Sequence, residues 1–564
     1  MKKDILLFSL SSVLLVSLVS CDRATTTINK ADVVIHIGEV EDVESSFYYV
    51  NGVTSIPYLE MDDAMTILLA NRNILLEDAK YSLTGTYEGD GYTMKKKGGP
   101  SVYFDFASET VTFSSRSAFQ TESYSKLPLD PAVINQKEGK SMFYAVDADS
   151  SFFIPGKPVA FDLAKYGIHM WKVGNKGYIP LSTFSDLFFS PSYTYLTEKN
   201  GEGYILQYGF QDNETLRNKF WAKEVGIRDK DVAEYTYNEL CFVMDNLYGF
   251  KSREDDYDAL LSRAGLKDKI KSTDARASSL ALADFFQNYI DDLHTAYFSE
   301  GFYGPYGRFE GSPLGSSREK YQALMAEYQS AREAALGYSG KVYDYSRVGD
   351  TAFITFDSFD FDPSKYGETV ADLSEVKDTV SLLQYARNKL LNEDSDVKNV
   401  VYDISCNGGG DTVALYYASG FLSGESVVHI QSPIDGSKTS VAFKVDSSGD
   451  KAIGEDDKAL ADKKLFVLES ELSFSCGNAF PNIIADNRAG TLIGKTSGGG
   501  ACCIAPYLLP DGSLYQISGE CMFSTKRNGD YLSNEQGALP DINLAPSSFY
   551  NRSKLVSIID NYVA

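Results

Sequence analysis

The order of strands and helices in the C-terminal part of the chain constrains its fold more than any other sequence feature. Thr351 to Phe356 has the apolar, β-branched character of a strand, a helical pattern covers Ser374 to Leu391, and Asn399 to Ile404 is a second strand. Strands joined through a helix run parallel, because a parallel pair needs a long crossover connection. The pattern therefore predicts an α/β region with a parallel sheet.

A second strand, turn and helix in the same region contains a candidate nucleophile. The apolar run Leu465 to Leu468 leads to a turn at Phe474-Ser475-Cys476-Gly477-Asn478, and a helical pattern then ends near Asn487. A sharp turn between strand and helix exposes a serine hydroxyl beside the N–H groups of a helix N-terminus, where an oxyanion is stabilised. Ser475 is therefore a candidate nucleophile, and the alternative is an ordinary turn or N-cap serine.

The rest of the chain divides by pattern into further regions. We predict a signal at 1–21, a tether at 22–45, a duplicated β-rich region at 46–212, a helical bundle at 213–300, a helical connector at 301–340 and the α/β core at 341–564. The duplication is seen where Tyr49 to Gly52 leads to Ile56 to Leu59, and where Lys172 to Asn175 leads to Tyr178 to Leu181. These copies are interpreted as two small modules that bind or position a ligand, or as a structural spacer.

The first residues have the features of an export signal. Lys2 and Lys3 precede the apolar stretch Ile5 to Val19, which ends at Ser20-Cys21. The segment Leu18 to Cys21 resembles the lipobox of bacterial lipoproteins, in which the cysteine becomes the lipid-modified terminus. We therefore expect an exported protein that is anchored to a bacterial membrane through lipid on Cys21, at the cell surface or the periplasmic side. The alternative is a plain secretory signal.

Charge and cysteine content limit the partners of this chain. The formal net charge is −25, which disfavours nucleic acid and favours neutral or cationic peptides. Six cysteines besides Cys21 could form disulfides outside the cytoplasm, and the sequence does not select a pairing. No spacing of cysteines or histidines is typical of a metal site, so we expect no metal or cofactor.

A nucleophilic serine needs a base and oxyanion donors, and the chain offers few candidates for either role. Among the four histidines, His294 is favoured because it lies in the polar segment Asp291 to Thr295, where the helical pattern ends. Its alternative role is a favourable contact with a helix C-terminus. The glycines in Asp403 to Asp411 follow a strand, and their N–H groups could hold an oxyanion.

Four motifs in order resemble those of the C-terminal-processing (tail-specific) and tricorn-type serine peptidases. Asp403 to Gly410 is similar to their Asp-Leu-Arg-x-Asn-x-Gly-Gly motif, and Phe474 to Gly477 is similar to their Phe-Ser-x-Gly turn. Asn487 to Thr496 resembles the following strand, and Asn534 to Ile542 resembles the closing Glu-x-x-Gly-x-x-Pro-Asp-Ile segment. The resemblance extends over about residues 215 to 548.

This resemblance implies a ClpP/crotonase-like core and hydrolysis of protein or peptide substrates through an acyl-enzyme. It assigns the nucleophile to Ser475, the base to His294, the orienting carboxylate to Glu535, and the oxyanion hole to N–H groups of Gly408, Gly409 and Cys476. The lysine used by other members would fall in the run Gly498 to Gly500, so the histidine design is favoured.

Several alternatives accompany this assignment. Glu520 or Asp541 could replace Glu535, Cys476 could be the nucleophile, and Lys495 could be the base. Ser405 stands where the family motif has arginine. About 45 residues separate the histidine from the core, too few for the family's PDZ domain of roughly 80 to 100 residues. A catalytically silent lipoprotein that binds peptide or glycan is the alternative function.

Overall fold

The computed structural model of the protein contains β-rich, helical and α/β regions. The described residues are 26–37, 41–75, 82–96, 99–119, 142–145, 152–208, 228–250, 253–254, 256–298, 315–362, 366–368 and 370–562. The expected signal and Cys21 lie outside them. Within these ranges, no helix has both the length and the apolar character that crossing a membrane requires.

The N-terminal region is built mainly of strands. Its elements are β1 (Ile28–Ile37), β2 (Glu41–Val50), β3 (Tyr58–Glu60), α1 (Met61–Leu75), β4 (Leu83–Glu88), β5 (Gly91–Lys96), β6 (Ser101–Asp105), β7 (Thr110–Phe113), β8 (Phe143–Ala145), β9 (Phe152–Ile154), β10 (Val159–Asp162), β11 (Trp171–Val173), β12 (Lys176–Pro180), α2 (Leu181–Phe188), β13 (Thr194–Lys199) and β14 (Glu202–Gln207). One sheet has the order β11-β12-β3-β2-β1-β14-β13, and a second has the order β10-β7-β6-β5-β4.

The two sequence repeats belong to one sheet and are not two separate modules. Each copy is a strand followed by a helix, β3 with α1 and β12 with α2. Strands β3 and β12 pair antiparallel, with Ile179 opposite Leu59. Both side chains are fully buried, so the copies complete one common core. Strand β1 begins at Ile28, within the stretch 22–45 where we expect a tether followed by a first strand, and it buries Ile35 in that core.

A layer of helices links this region to the C-terminal part. It consists of α3 (Lys230–Asn246), α4 (Tyr257–Arg263), α5 (Lys267–Ile270), α6 (Ala275–Asp284), a π-helical turn (Phe285–Ile290), the short strand β15 (Ala296–Tyr297) and α7 (Ser316–Leu336). Asp291 has a left-handed backbone with φ 45° and ends the π-helical turn. The chain therefore changes direction just before His294.

The C-terminal part contains two sheets. Its elements are β16 (Tyr343–Val348), β17 (Thr351–Phe356), α8 (Thr379–Leu391), β18 (Asn399–Asp403), α9 (Thr412–Gly420), β19 (Glu425–Gln431), β20 (Lys438–Val445), β21 (Lys464–Glu469), α10 (Cys476–Asn487), β22 (Thr491–Gly494), β23 (Cys502–Leu508), β24 (Leu514–Arg527), β25 (Asp530–Ser533), β26 (Ile542–Asn543) and α11 (Arg552–Asp560). The order β16-β17-β18-β21-β22-β26 describes one sheet, and β23, β24, β19 and β20 belong to the other.

The parallel crossovers predicted from the sequence are confirmed. Strand β18 pairs parallel with β17 and with β21, and β21 pairs parallel with β22. Helix α8 begins at Thr379 and not at Ser374, because the Asp378 carboxylate caps it by accepting the Ser381 N–H at 2.7 Å. Asp403 is opposite Leu468 in the β18–β21 pair, so the loops that follow these two strands meet at one edge of the sheet.

The regions predicted from the sequence pack against one another. Strands β8 and β9 of the β-rich segment pair with β20 of the C-terminal sheet. One apolar cluster also joins Ile35 of the first sheet, Phe242 and Phe286 of the helical layer, and Tyr515 of β24. The β-rich and helical regions therefore share one core with β23 and β24, whereas most buried apolar side chains of the C-terminal part form two further clusters.

Candidate active site

Ser475 lies in a strained turn between β21 and α10. Its backbone has φ 57° and ψ −121°, in the left-handed half of conformational space that residues other than glycine rarely occupy. Its N–H donates to the Gly499 carbonyl at 3.0 Å, and its carbonyl accepts from Asn478 and Ala479. Such strain persists where the surrounding structure imposes it, and this geometry is that of a nucleophile turn.

The glycine loop after β18 packs directly against this serine. A Cβ atom on Gly409 would lie 2.6 Å from the Ser475 Cβ, so the approach requires glycine. The Gly409 N–H donates to the Asn407 Oδ1 atom at 2.9 Å and is therefore already engaged. Gly408 and Gly410 line the adjacent cavity, whereas Gly409 does not. Gly410 is thus a candidate oxyanion donor that sequence reasoning did not single out.

A cavity of about 770 Å³ opens in front of Ser475. Three regions that are remote in sequence contribute to its wall: the N-terminal region, the helical layer and the C-terminal sheets. Its lining includes Tyr193, His294, Arg318, Tyr321, Ser475, Cys476, Gly500, Cys502, Cys503 and Ile504. The cavity therefore brings together the predicted nucleophile and the predicted base.

His294 is buried beside the serine turn. Its ring centroid is 4.7 Å from that of Phe474, the residue before the nucleophile. The backbone N–H of His294 donates to the Asp292 carboxylate at 3.0 Å, and its backbone carbonyl accepts from Gln516 Nε2 at 2.7 Å. Within the described part of the chain, both ring nitrogens are without a hydrogen-bond partner. The backbone is thus held firmly while the imidazole remains available to a hydroxyl group.

The environment of His294 favours its neutral form. Burial lowers the pKa of the imidazole below its usual value, because desolvation disfavours the charged ring. The nearby Asp292 carboxylate acts in the opposite direction, and the Arg318 guanidinium lowers the pKa further. The net effect is a neutral histidine, the protonation state that a general base requires.

Glu535 contacts the glycine loop beside the nucleophile and not the imidazole. Its Oε2 atom accepts from the N–H groups of Gly500 and Ala501 at 3.1 and 2.9 Å, and Oε1 is 3.3 Å from Arg253 Nη2. Burial raises the pKa of this carboxyl. Since Gly499 in the same loop accepts the Ser475 N–H, Glu535 holds the loop that holds the serine.

The competing carboxylates and the alternative base have other partners. Glu520 forms a buried ion pair with Arg116 at 2.8 Å, and Asp541 accepts the Leu492 N–H at 2.8 Å. Lys495 Nζ donates to Asn543 Oδ1 at 3.1 Å and does not line the cavity. Glu520 and Asp541 are therefore engaged elsewhere, and the contact of Lys495 favours His294 as the base.

Cys476 has a buried, protonated thiol. Its Sγ atom donates to the Gly410 carbonyl at 3.1 Å, and burial raises its pKa well above the usual value. A thiol without a depressed pKa is a poor nucleophile, so the cysteine alternative is disfavoured. Its N–H is the first of helix α10, where no intrahelical carbonyl can accept it. That N–H is therefore available as an oxyanion donor.

Arg552 was missed by sequence reasoning. Asp403 is buried at the end of β18, and its Oδ1 atom accepts the Ser405 hydroxyl at 2.7 Å, while Oδ2 accepts Arg552 Nη2 at 2.8 Å. Ser405 occupies the arginine position of the motif, and the guanidinium comes instead from helix α11 near the end of the chain. No local spacing indicates such a contact.

The strained serine, the buried histidine and the helix N-terminus on one cavity define a serine hydrolase of the peptidase class. Residues 350–544 match the model of peptidase family S41. The matched segment contains Ser475, the glycine loop after β18 and Glu535.

Individual proteins also match parts of the chain. A protein of Chlamydia pneumoniae is 32% identical over 102 residues, which are 18% of this chain and 16% of that protein. This chain therefore spans only a small part of that relative.

Among solved structures, a peptidase-like protein from Parabacteroides merdae is 18% identical and covers 59% of this chain and 99% of its own, with a TM-score of 0.40. Mature CPAF complexed with lactacystin is 12% identical and covers 58% of this chain and 98% of its own, with a TM-score of 0.36. These overall scores are low, so the interpretation as a serine peptidase depends on the match of residues 350–544 and on the site.

Proposed function

We propose that the protein is a serine endopeptidase that cleaves protein or peptide substrates through an acyl-enzyme. The observation that carries this proposal is that Ser475, at φ 57°, shares one cavity with His294, whose ring has no hydrogen-bond partner among the described residues. An imidazole without another partner is free to accept the serine proton when substrate binds. The acidic surface favours neutral or cationic segments as substrates.

The proposed mechanism uses these residues in the following roles. His294 takes the proton of the Ser475 hydroxyl as the oxygen attacks the scissile carbonyl, and it then returns the proton to the leaving amine. The oxyanion is held by the Cys476 N–H and by the glycine loop, in which Gly408 and Gly410 line the cavity and are the candidate donors. Water hydrolyses the acyl-enzyme through the same base.

Glu535 acts in this scheme as a positioning residue. It fixes the loop at Gly500 and Ala501, and through Gly499 the backbone of the nucleophile. Asp292 is the carboxylate whose charge acts on the His294 imidazole, and it stabilises the imidazolium that forms during the reaction. The two carboxylates thereby divide the role that the resemblance gives to Glu535 alone.

Labelling with a fluorophosphonate probe tests the proposal. The purified wild type should label, and Ser475→Ala should not. His294→Ala should lower the labelling rate by about 10³-fold or more, because the serine loses its base. Lys495→Ala is the matched control and should label like the wild type. Equal labelling of wild type and Ser475→Ala, or loss in Lys495→Ala, would contradict the mechanism.

We further propose that lipid on Cys21 anchors the exported protein to a bacterial membrane. The lipobox-like segment Leu18 to Cys21 supports this. Metabolic labelling with an alkyne fatty acid should modify the wild type but not Cys21→Ser. The variant should also leave the membrane fraction, and a variant that stays labelled and membrane-bound would contradict the anchor.

A further inference from the structure

One wall of the active-site cavity comes from outside the peptidase domain. Tyr193 belongs to the N-terminal region, between α2 and β13, and lines the cavity together with Ser475 and Ile504. Its hydroxyl donates to the Ile504 carbonyl at 2.8 Å. Its backbone is left-handed, with φ 58°. Such a conformation is costly for tyrosine, so the surrounding structure imposes it.

The Ile504 carbonyl belongs to a strand edge beside the nucleophile. Strand β23 pairs antiparallel with β24, and in the described part of the chain no strand pairs with its other edge. Cys502, Cys503 and Ile504 all line the cavity. An extended peptide binds to such an edge by adding a strand through main-chain hydrogen bonds. Tyr193 occupies one of the acceptors that such a peptide would use.

The position of Tyr193 is coupled to the base. The Tyr208 N–H donates to the Tyr193 carbonyl at 2.7 Å, and the Tyr208 hydroxyl donates to Gln516 Oε1 at 2.8 Å. Gln516 Nε2 in turn donates to the His294 carbonyl at 2.7 Å. The segment that carries Tyr193 is therefore braced against the strand that holds the base, so its distance from the reacting groups is set by the fold.

We propose that Tyr193 is a specificity-determining residue, which ends the peptide-binding cleft at Ile504. An extended substrate then pairs with β23 at Cys502 and Cys503. It does not pair with Ile504 or with the residues of β23 that follow. This inference rests on the proposed peptidase function and assigns part of the substrate cleft to the N-terminal region. The consequence is a fixed limit on the number of substrate residues bound on one side of the scissile bond.

A peptide-length series tests this limit. The probe is a nested set of peptides around the first cleavage site that mass spectrometry finds in denatured β-casein, each extended by one residue towards either end. In the wild type, kcat/KM should stop rising with length on one side. In Tyr193→Ala it should rise further, by about 2- to 10-fold for the next residue, which is the gain of one main-chain hydrogen bond.

Two control variants distinguish the loss of the Tyr193 ring from other effects of a tyrosine substitution. Tyr193→Phe keeps the ring and should keep the wild-type length limit. Tyr103→Ala alters a partly exposed tyrosine of the N-terminal region and should change nothing. Fluorophosphonate labelling of Ser475 should stay within about twofold of wild type in Tyr103→Ala. Its rate is measured in both Tyr193 variants as well, because the small probe reports on the serine without filling this end of the cleft.

The outcomes distinguish this inference from the function on which it rests. Intact labelling with an unchanged length profile in Tyr193→Ala would overturn the inference alone. Loss of labelling in Tyr193→Ala would show a structural role and overturn it as well. A wild-type protein that does not label would overturn the proposed function and this inference with it.

Discussion

At the scale of single residues, the candidate site depends on His294, whose buried imidazole lacks a hydrogen-bond partner among the described residues. His294 is surrounded by protein, and its two ring nitrogens have no acceptor or donor within the described residues. Burying an unsatisfied polar group costs stability, so such a group in a native structure requires an explanation. The expected role is to receive the Ser475 proton.

Replacing Asp292 by asparagine should move the acid limb of activity to lower pH. The Asp292 charge raises the pKa of His294 and so stabilises its protonated form, which is inactive as a base. Without that charge, the imidazole stays neutral to lower pH. The kcat/KM profile against pH checks this shift, and the maximum should fall because the imidazolium in the transition state is less stabilised. An unchanged acid limb would contradict the role of Asp292.

Replacing Gly409 by alanine should remove activity more than stability. The new Cβ would meet the Ser475 Cβ at 2.6 Å and displace the nucleophile. A displacement of about 1 Å costs about 10²-fold in rate. Gly436→Ala is the matched control, since Gly436 also has a positive φ but no atom within 4 Å of an added Cβ. Equal labelling rates in both variants would contradict this geometry.

At the scale of elements, helices α2 and α3 bring two carboxyl groups together in the core. Asp186 and Glu239 are both buried, and their carboxyl groups interact with each other. Burial and the neighbouring Glu239 raise the pKa of Asp186, and burial raises the pKa of Glu239 to about 7. The contact between these helices is therefore stable when the carboxyl groups are protonated.

This pair predicts that stability falls as pH rises from about 4 to 7. In that range the unfolded chain has released protons that the folded chain still binds, so the free energy of unfolding decreases. Asp186→Asn removes the penalty and should raise the free energy of unfolding by about 1 to 3 kcal/mol at pH 8, with less effect at pH 4. Urea unfolding at both pH values measures this change in the free energy of unfolding. The exposed Asp268→Asn is the control, and a pH-independent effect of Asp186→Asn would contradict the coupling.

At the scale of the whole molecule, the N-terminal region is joined to the peptidase sheet by a buried ion pair. Arg116 donates to both oxygens of Glu520 on β24, at 3.1 and 2.8 Å, and also to the Leu187 carbonyl. The Arg116 side chain is fully buried. This ion pair and the Tyr193 contact make the N-terminal region part of the catalytic unit.

Arg116→Met should therefore destabilise the whole protein. It leaves Glu520 buried without its partner, which costs about 3 to 5 kcal/mol. The double variant Arg116→Met with Glu520→Met should recover much of this loss, because no charge remains in the core. Thermal unfolding measures both. Arg263→Met breaks an exposed ion pair and should cost less than about 1 kcal/mol, and an equal loss would contradict the account.

The sequence by itself determined the local structure around the reacting serine. The turn at Ser475, the parallel strands on either side of α8, and the glycine loop after β18 all follow from short-range spacing, because apolar periodicity and turn residues act on the nearby backbone. The choice of His294 among four histidines also followed from its place at the end of a helix.

Only the tertiary structure decided how remote segments complete the site. The contact of Arg552 with Asp403, the position of Glu535 on the glycine loop and the wall formed by Tyr193 join residues that are far apart in the sequence. The two repeats likewise merged into one sheet because their buried strands needed a common core. Such contacts depend on how whole elements pack, and no local pattern encodes that packing.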